Sequence, residues 1–228
     1  MINVEKNKSL NKQLSDMYDK YAEEFLREYA KDFNDKNPPP RIHRFGIVDE
    51  ECFDTDFKVL FIAKEPNGGG NDWVFLDWLR DGTRRGELIG RAKQYPTTWY
   101  NIGRWASLIF NPEQDIKNLI SKKSEALNAI TKIAFTNVNK VKGDSSSKRP
   151  YNNLAFSNIA IKVLSEEIKI LKPHLIICCG TEHTVKKAIS ELAFHCHLIT
   201  MPHPAAKISK LYLIEELKKN LDSVGYKI

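Results

Sequence analysis

A chain of 228 residues, 42% of them hydrophobic and with no low-complexity linker, is long enough to bury one sizeable core and reads as a single domain over 1–228. No apolar run approaches the roughly 18 residues of a membrane span, and the start MINVEKNKSLNKQ lacks the apolar centre of a signal peptide, so a soluble, cytoplasmic and monomeric protein is expected. Lysine and arginine exceed aspartate and glutamate by 35 to 29, a net charge of +6 that suits a polyanionic partner without requiring one.

From Ser9, an N-cap candidate, Leu10, Leu14, Met17, Tyr21, Phe25, Tyr29 and Phe33 recur at three- and four-residue spacing. They predict an amphipathic helix, closed by Pro38-Pro39-Pro40, that packs on the rest of the domain as an extension over 1–40. Arg41 to Val48 alternates polar and apolar residues, which predicts a short edge strand with His43 on the surface. Phe57 to Ala63 is apolar throughout and predicts a central strand covered on both faces. It stops at Lys64-Glu65-Pro66-Asn67, and three glycines follow. The next segment, Asp72 to Arg80, is rich in large aromatics, and Arg84, Arg85, Arg91 and Lys93 follow it.

Helical spacing returns over Thr97 to Phe110 and over Pro112 to Thr131. Lys132 to Val138 predicts a second buried strand, running out into Asn139, Lys140, Lys142 and a polar loop to Arg149. A helix over Asn152 to Leu171 ends at Lys172-Pro173, and His174 to Cys179 is a third strand closed by Gly180. Thr181 then caps a helix through Ala193, Cys196 to Thr200 is a fourth strand, and Lys210 to Val224 a last helix. Strands separated by helices predict an α/β fold with a four-stranded parallel sheet and helices on both faces. In such folds ligands bind outside the carboxyl ends of the strands. The residues brought there are Lys64, Glu65 and Asn67, then Asn137, Gly180 and His203.

Each has a chemistry that fits such an edge. The Glu65 carboxylate can polarise an attacking water, and general-base assistance is worth about 10² to 10⁴ in rate. The Asn137 amide offers a donor and an acceptor to the edge of a base. His203, between Pro202 and Pro204, sits on restricted backbone that suits a donor to an oxygen gaining negative charge. The four cysteines, Cys52, Cys178, Cys179 and Cys196, lack paired CxxC spacing, and adjacent strand residues face opposite ways. Reduced thiols are expected, with no metal and no cofactor.

Four short stretches, in order, resemble the uracil-DNA glycosylase superfamily. Ala63-Lys64-Glu65-Pro66-Asn67-Gly68 occupies the place of that family's first motif. Phe135-Thr136-Asn137-Val138-Asn139-Lys140 and the loop to Arg149-Pro150 are similar to the TNVVKCRPP segment of its iron-sulfur members. Leu171-Lys172-Pro173-His174-Leu175-Ile176-Ile177 with Gly180 is similar to their LKPKVIVALG, and Met201-Pro202-His203-Pro204-Ala205 resembles the HPS or HPA motif.

The resemblance implies a three-layer α/β/α sandwich and a nucleotide extruded from the stack into a pocket. It gives Glu65 the water-activating role, Asn137 the reading of the base edge and His203 the support of the departing base. Trp78, with Trp73 or Phe75 as alternatives, would stack on the base, beside Lys64 and Asn67. Lys140, Lys142, Lys148, Arg149 and Lys207 would meet single- or double-stranded DNA, and Ile208 would wedge into the vacated space. Ala63 stands where the family has glycine, Lys64 for Gln or Glu, Asn67 for the tyrosine that excludes thymine, and Ala205 for serine. The cysteines do not match the four-ligand cluster pattern. The function implied is hydrolysis of the N-glycosidic bond of uracil or another damaged base. The alternatives are an inactive nucleic-acid- or nucleotide-binding protein and an enzyme on small nucleotides.

Overall fold

The computed structural model describes residues 9–32, 41–64, 75–84, 96–141, 153–190 and 192–226. Helix α1, Leu10–Asp32, starts where Ser9 Oγ accepts a hydrogen bond from Lys12 N at 3.2 Å. It buries Leu14, Met17, Tyr21, Phe25 and Tyr29 as the spacing requires, and Tyr18 as well. These side chains belong to the same hydrophobic cluster as the strands, so α1 is part of the core. Burying a side chain such as Phe25 stabilises by about 1.5 to 3 kcal/mol relative to leaving it exposed.

The sheet is mixed. Strands β2 (Val59–Ala63), β3 (Ala134–Asn137), β4 (Leu175–Cys179) and β5 (His197–Met201) are parallel, as their helical crossovers dictate. A fifth strand, β1 (Gly46–Ile47), pairs antiparallel with β3, giving the order β1-β3-β2-β4-β5. This corrects the expected four-stranded parallel sheet, because the alternating stretch before β2 does contribute an edge strand, only two residues long. Its outer edge is covered by α1. Asn11 Nδ2 donates to Ile47 O and Asn11 Oδ1 accepts from Ile47 N, both at 2.9 Å, so one side-chain amide takes the place of a further strand. Gly46 makes this approach possible, since at φ +152° a Cβ would lie 2.5 Å from Asn11 Oδ1 and 2.6 Å from Leu14 Cδ1.

Helices cover both faces. On one, Thr136 of β3 bonds Glu167 of α6 (Asn158–Leu171), with α1 and α7 (Glu182–Ile189) packed against α6. On the other, Phe61 of β2 stacks on Trp105 of α3 (Pro96–Phe110), with ring centroids 6.5 Å apart. Against α3 pack α5 (Lys123–Asn128) and α8 (Lys210–Ser223), while α2 (Phe75–Arg84) touches α5. The helix expected over 112–131 is broken into α4 (Ile116–Ser121), α5 and a 3-10 turn at Ala129–Lys132, because Lys122 leaves helical geometry at ψ 86°. Helix α6 starts at Asn158 rather than Asn152, where the Ser157 side chain accepts from Ala160 N, and α7 stops at Ile189 rather than Ala193.

The strand order fixes where a ligand can enter. From β2 the chain passes to β3 on one side and later to β4 on the other, so the topological switch lies between β2 and β4. The crevice of such a sheet opens at its carboxyl edge there.

Candidate functional site

The exits of β2 and β3 are laced together. Val138 N donates to Ala63 O at 2.9 Å and Asn139 N to Lys64 O at 2.8 Å, extending the parallel ladder one step past the strands. Asn137, last in β3, is 2% exposed and shares a face with Phe135. On Phe135 packs Trp99 of α3, at 5.1 Å, and on Trp99 packs Trp78 of α2, at 6.2 Å. The half-buried Trp78 therefore stands on the Asn137 side of the sheet, beyond Trp99. Of the stacking alternatives, Trp73 lies outside the described residues, and Phe75 only begins α2. Glu65, Asn67, Lys142, Lys148 and Arg149 also lie outside them.

Lys140 is corrected. Expected to meet DNA, it is fully buried, with Nζ 2.7 and 2.8 Å from the two oxygens of Glu167 and 2.7 Å from Thr136 Oγ1. It also donates to the carbonyl of Asn137. Tyr18 OH donates to the same carboxylate and accepts from Phe45 N at 3.2 Å. Burial pushes the Lys140 ammonium below its ordinary value, opposed by Glu167. Burial, then the charge and hydrogen bond of Glu167, holds the Tyr18 phenol well above its own. A buried pair of this kind fixes geometry more than it adds stability, since desolvation offsets much of the attraction. What it fixes here is the backbone under Asn137.

His43 is also corrected: it is buried at 9% exposure, not on the surface, and its N–H donates to Lys140 O at 2.6 Å. The expected alternation does not hold: Arg41 and Arg44 are exposed, His43 is buried, and residues 45–49 are buried in a row because the stretch is covered by α1.

At the β4 exit Gly180 makes the expected turn, in the left-handed region at φ 73°, and Gly180 N donates to Met201 O at 3.2 Å. Thr181 stands at the N-cap of α7 but makes no capping bond. Its hydroxyl donates instead to Ile62 O at 2.9 Å, tying β4 to β2 at the switch point.

After β5, His203 O accepts from Ala206 N at 2.8 Å, a turn with Pro204 in its second place. His203 itself is exposed, and its Nδ1 accepts from Ala205 N at 3.1 Å. A backbone N–H can only donate, so Nδ1 carries no proton and the neutral ring holds its hydrogen on Nε2. Lys207 and Ile208 follow, both exposed, and with Leu211 and Tyr212 they make an apolar group at the start of α8, 39% to 51% exposed at the three apolar members.

Two residues that sequence reasoning passed over join these exits. Asn101 and Arg104 of α3 are each 2% exposed; Asn101 Nδ2 donates to Pro204 O at 2.8 Å, and Arg104 Nη1 donates to Asn101 Oδ1 at 3.1 Å. Helix α3 thus touches the β3 strand through Trp99 and the β5 loop through Asn101. Burial lowers the Arg104 pKa from its ordinary value, opposed by Tyr100.

No protein-family model matches this chain, and no curated protein matches it. The site therefore stands on its own geometry. Among the described residues no group of three or more His, Cys, Asp or Glu side chains is placed to hold a metal, and no helix is long and apolar enough to cross a membrane. Cys178 and Cys179 are buried free thiols, and burial pushes Cys178 up to about 12 and Cys179 higher, so neither is a ready thiolate.

Proposed function

We propose that the protein is a base-excising N-glycosylase of uracil-DNA glycosylase type, acting on uracil or another damaged base in DNA. The observation that carries the reading is the His203 turn at the carboxyl edge, in which Ala205 N–H donates to Nδ1 and so directs the ring hydrogen to Nε2 on an exposed residue. In this reaction the C1′–N bond breaks and its electron pair passes into the base, whose carbonyl oxygen gains negative charge. His203 Nε2–H donates to that oxygen. Water oxygen adds to C1′, and its proton passes to the carboxylate of Glu65, which follows Lys64 in sequence. Asn137 reads the base edge, with its backbone held by Lys140, and Trp78 supplies a ring on the same side.

A preorganised donor of this kind is typically worth about 10² to 10³ in kcat. Incubation with uracil-, hypoxanthine- and mismatch-containing oligonucleotides, followed by alkaline cleavage, tests the reading. Abasic product that is lost in Glu65→Gln and His203→Ala supports it, and full activity in both variants overturns the roles.

The burial of Lys140 favours a second reading, an enzyme on free nucleosides or nucleotides, because one expected phosphate contact is turned into the core. Salt separates the two. Several phosphate contacts make DNA affinity fall steeply with ionic strength, whereas a nucleoside enzyme binds oligonucleotide weakly at every salt concentration.

A further inference from the structure

We propose that Asn101 is a positioning residue for His203, setting the tautomer of its imidazole through a single peptide unit. The inference rests on the reading of His203 as the donor to a departing base. The peptide between Pro204 and Ala205 is held on both of its polar groups: its carbonyl accepts from Asn101 Nδ2 at 2.8 Å, and its N–H donates to His203 Nδ1 at 3.1 Å. A peptide unit is planar, with C=O and N–H pointing opposite ways, so fixing the first aims the second. Asn101 therefore acts on the imidazole without touching it.

The orientation of the Asn101 amide is itself determined. Arg104 has only donors, and its Nη1 lies 3.1 Å from Asn101 Oδ1, so the oxygen must face Arg104 and the amide nitrogen must face Pro204. Arg104 is anchored in turn, since its Nε donates to Leu119 O at 3.4 Å and its Nη2 to Ile120 O at 3.3 Å, near the end of α4. The chain of bonds runs from α4 through Arg104 and Asn101 to the peptide and then the ring. Each donor polarises the next, and accepting at the carbonyl makes the Ala205 N–H a stronger donor to Nδ1. Pro204, with its fixed φ and no N–H, offers the turn no competing bond. With the linkage intact Nε2 keeps the proton; with it broken the peptide can rotate, and the two neutral tautomers compete.

The test compares Asn101→Asp and Asn101→Ala with the unaltered protein, using long-range proton–nitrogen NMR of 15N-histidine-labelled full-length chain, with the His203 signals assigned from His203→Gln. Asn101→Asp is the sharper variant. It keeps the shape and the Arg104 pair, and that cation keeps the new carboxylate ionised, but it has no N–H to give Pro204. Urea unfolding of each variant reports whether the fold survives. The expected result is a single Nε2–H tautomer in the unaltered chain and a mixture in Asn101→Asp, with kcat lowered on the order of 10- to 100-fold and KM little changed on any oligonucleotide that the unaltered protein processes. A folded Asn101→Asp variant that retains the single Nε2–H tautomer overturns the inference. If the unaltered protein cleaves no substrate, the glycosylase reading fails, while the tautomer comparison still decides the role of Asn101.

Discussion

The two outer exits of the parallel strands are fixed by opposite means. Beyond β3 the backbone of Asn137 is held by an ammonium, a carboxylate, a phenol and a hydroxyl, all sealed from water. Beyond β5 the loop is held by neutral hydrogen bonds, two of them to one peptide unit, and its histidine is exposed. The first arrangement leaves little tolerance, because removing Lys140 or Glu167 strands a charge in the core. The second can lose a member while the fold stands. Variants at the β3 exit therefore report stability first, and variants at the β5 exit report chemistry.

The largest break in this contrast is Lys140→Met. It leaves Glu167 buried without its partner and costs about 3 to 5 kcal/mol in urea unfolding. Adding Glu167→Leu recovers most of that loss, because no charge is then stranded. At the β5 exit His203→Ala lowers kcat by about 10² to 10³ with the melting temperature unchanged, since the side chain is exposed. Gly103→Ala acts between the two. Its Cβ would lie 2.3 Å from Ala126 O, a backbone atom that cannot swing away, so α3 must shift at a cost of about 1 to 3 kcal/mol. Because α3 carries Asn101, the same variant disturbs the His203 tautomer.

The remaining effect is alkaline. Cys178 is raised from 9.0 to about 12, so between those values the folded chain keeps a proton that the unfolded chain has lost, and stability falls as pH rises through that window. Each such thiol contributes at most about 1.4 kcal/mol per pH unit. Raised Tyr18 acts in the same direction above 10.0, whereas lowered Lys140 makes stability rise with pH up to 10.5. In unfolding measurements from pH 8 to 11, Cys178→Ala removes one thiol's share of the slope and leaves that of Cys179.

The strands were legible because each is a run of apolar residues too short for a helix and ended by Gly, Pro or Asn. Their exits followed from the parallel order alone, and Gly180 and His203 stand where that order puts them. The charged core was not legible from Lys140, which looks like the first of several loop cations. The signal lay 27 residues on, in α6, where Ile159, Ala160, Val163, Leu164, Glu167, Ile168 and Leu171 form one buried stripe with a carboxylate inside it. A glutamate on an apolar stripe calls for a buried partner, and here that partner is Lys140. Asn101 and Arg104 carry the same mark on α3, in phase with buried Trp105 and Leu108. Edge strand β1 was legible only as a short polar and apolar stretch before β2, and its outer edge is held by Asn11 of α1, far away in sequence.

The most direct measurement is abasic-site formation by the purified chain on uracil-, hypoxanthine- and mismatch-containing oligonucleotides, single- and double-stranded, beside Glu65→Gln and His203→Ala. The account predicts alkali-labile product from at least one substrate, lost or reduced by about 10² or more in either variant while both remain folded. No product from any substrate with the protein folded, or equal product from all three proteins, contradicts it.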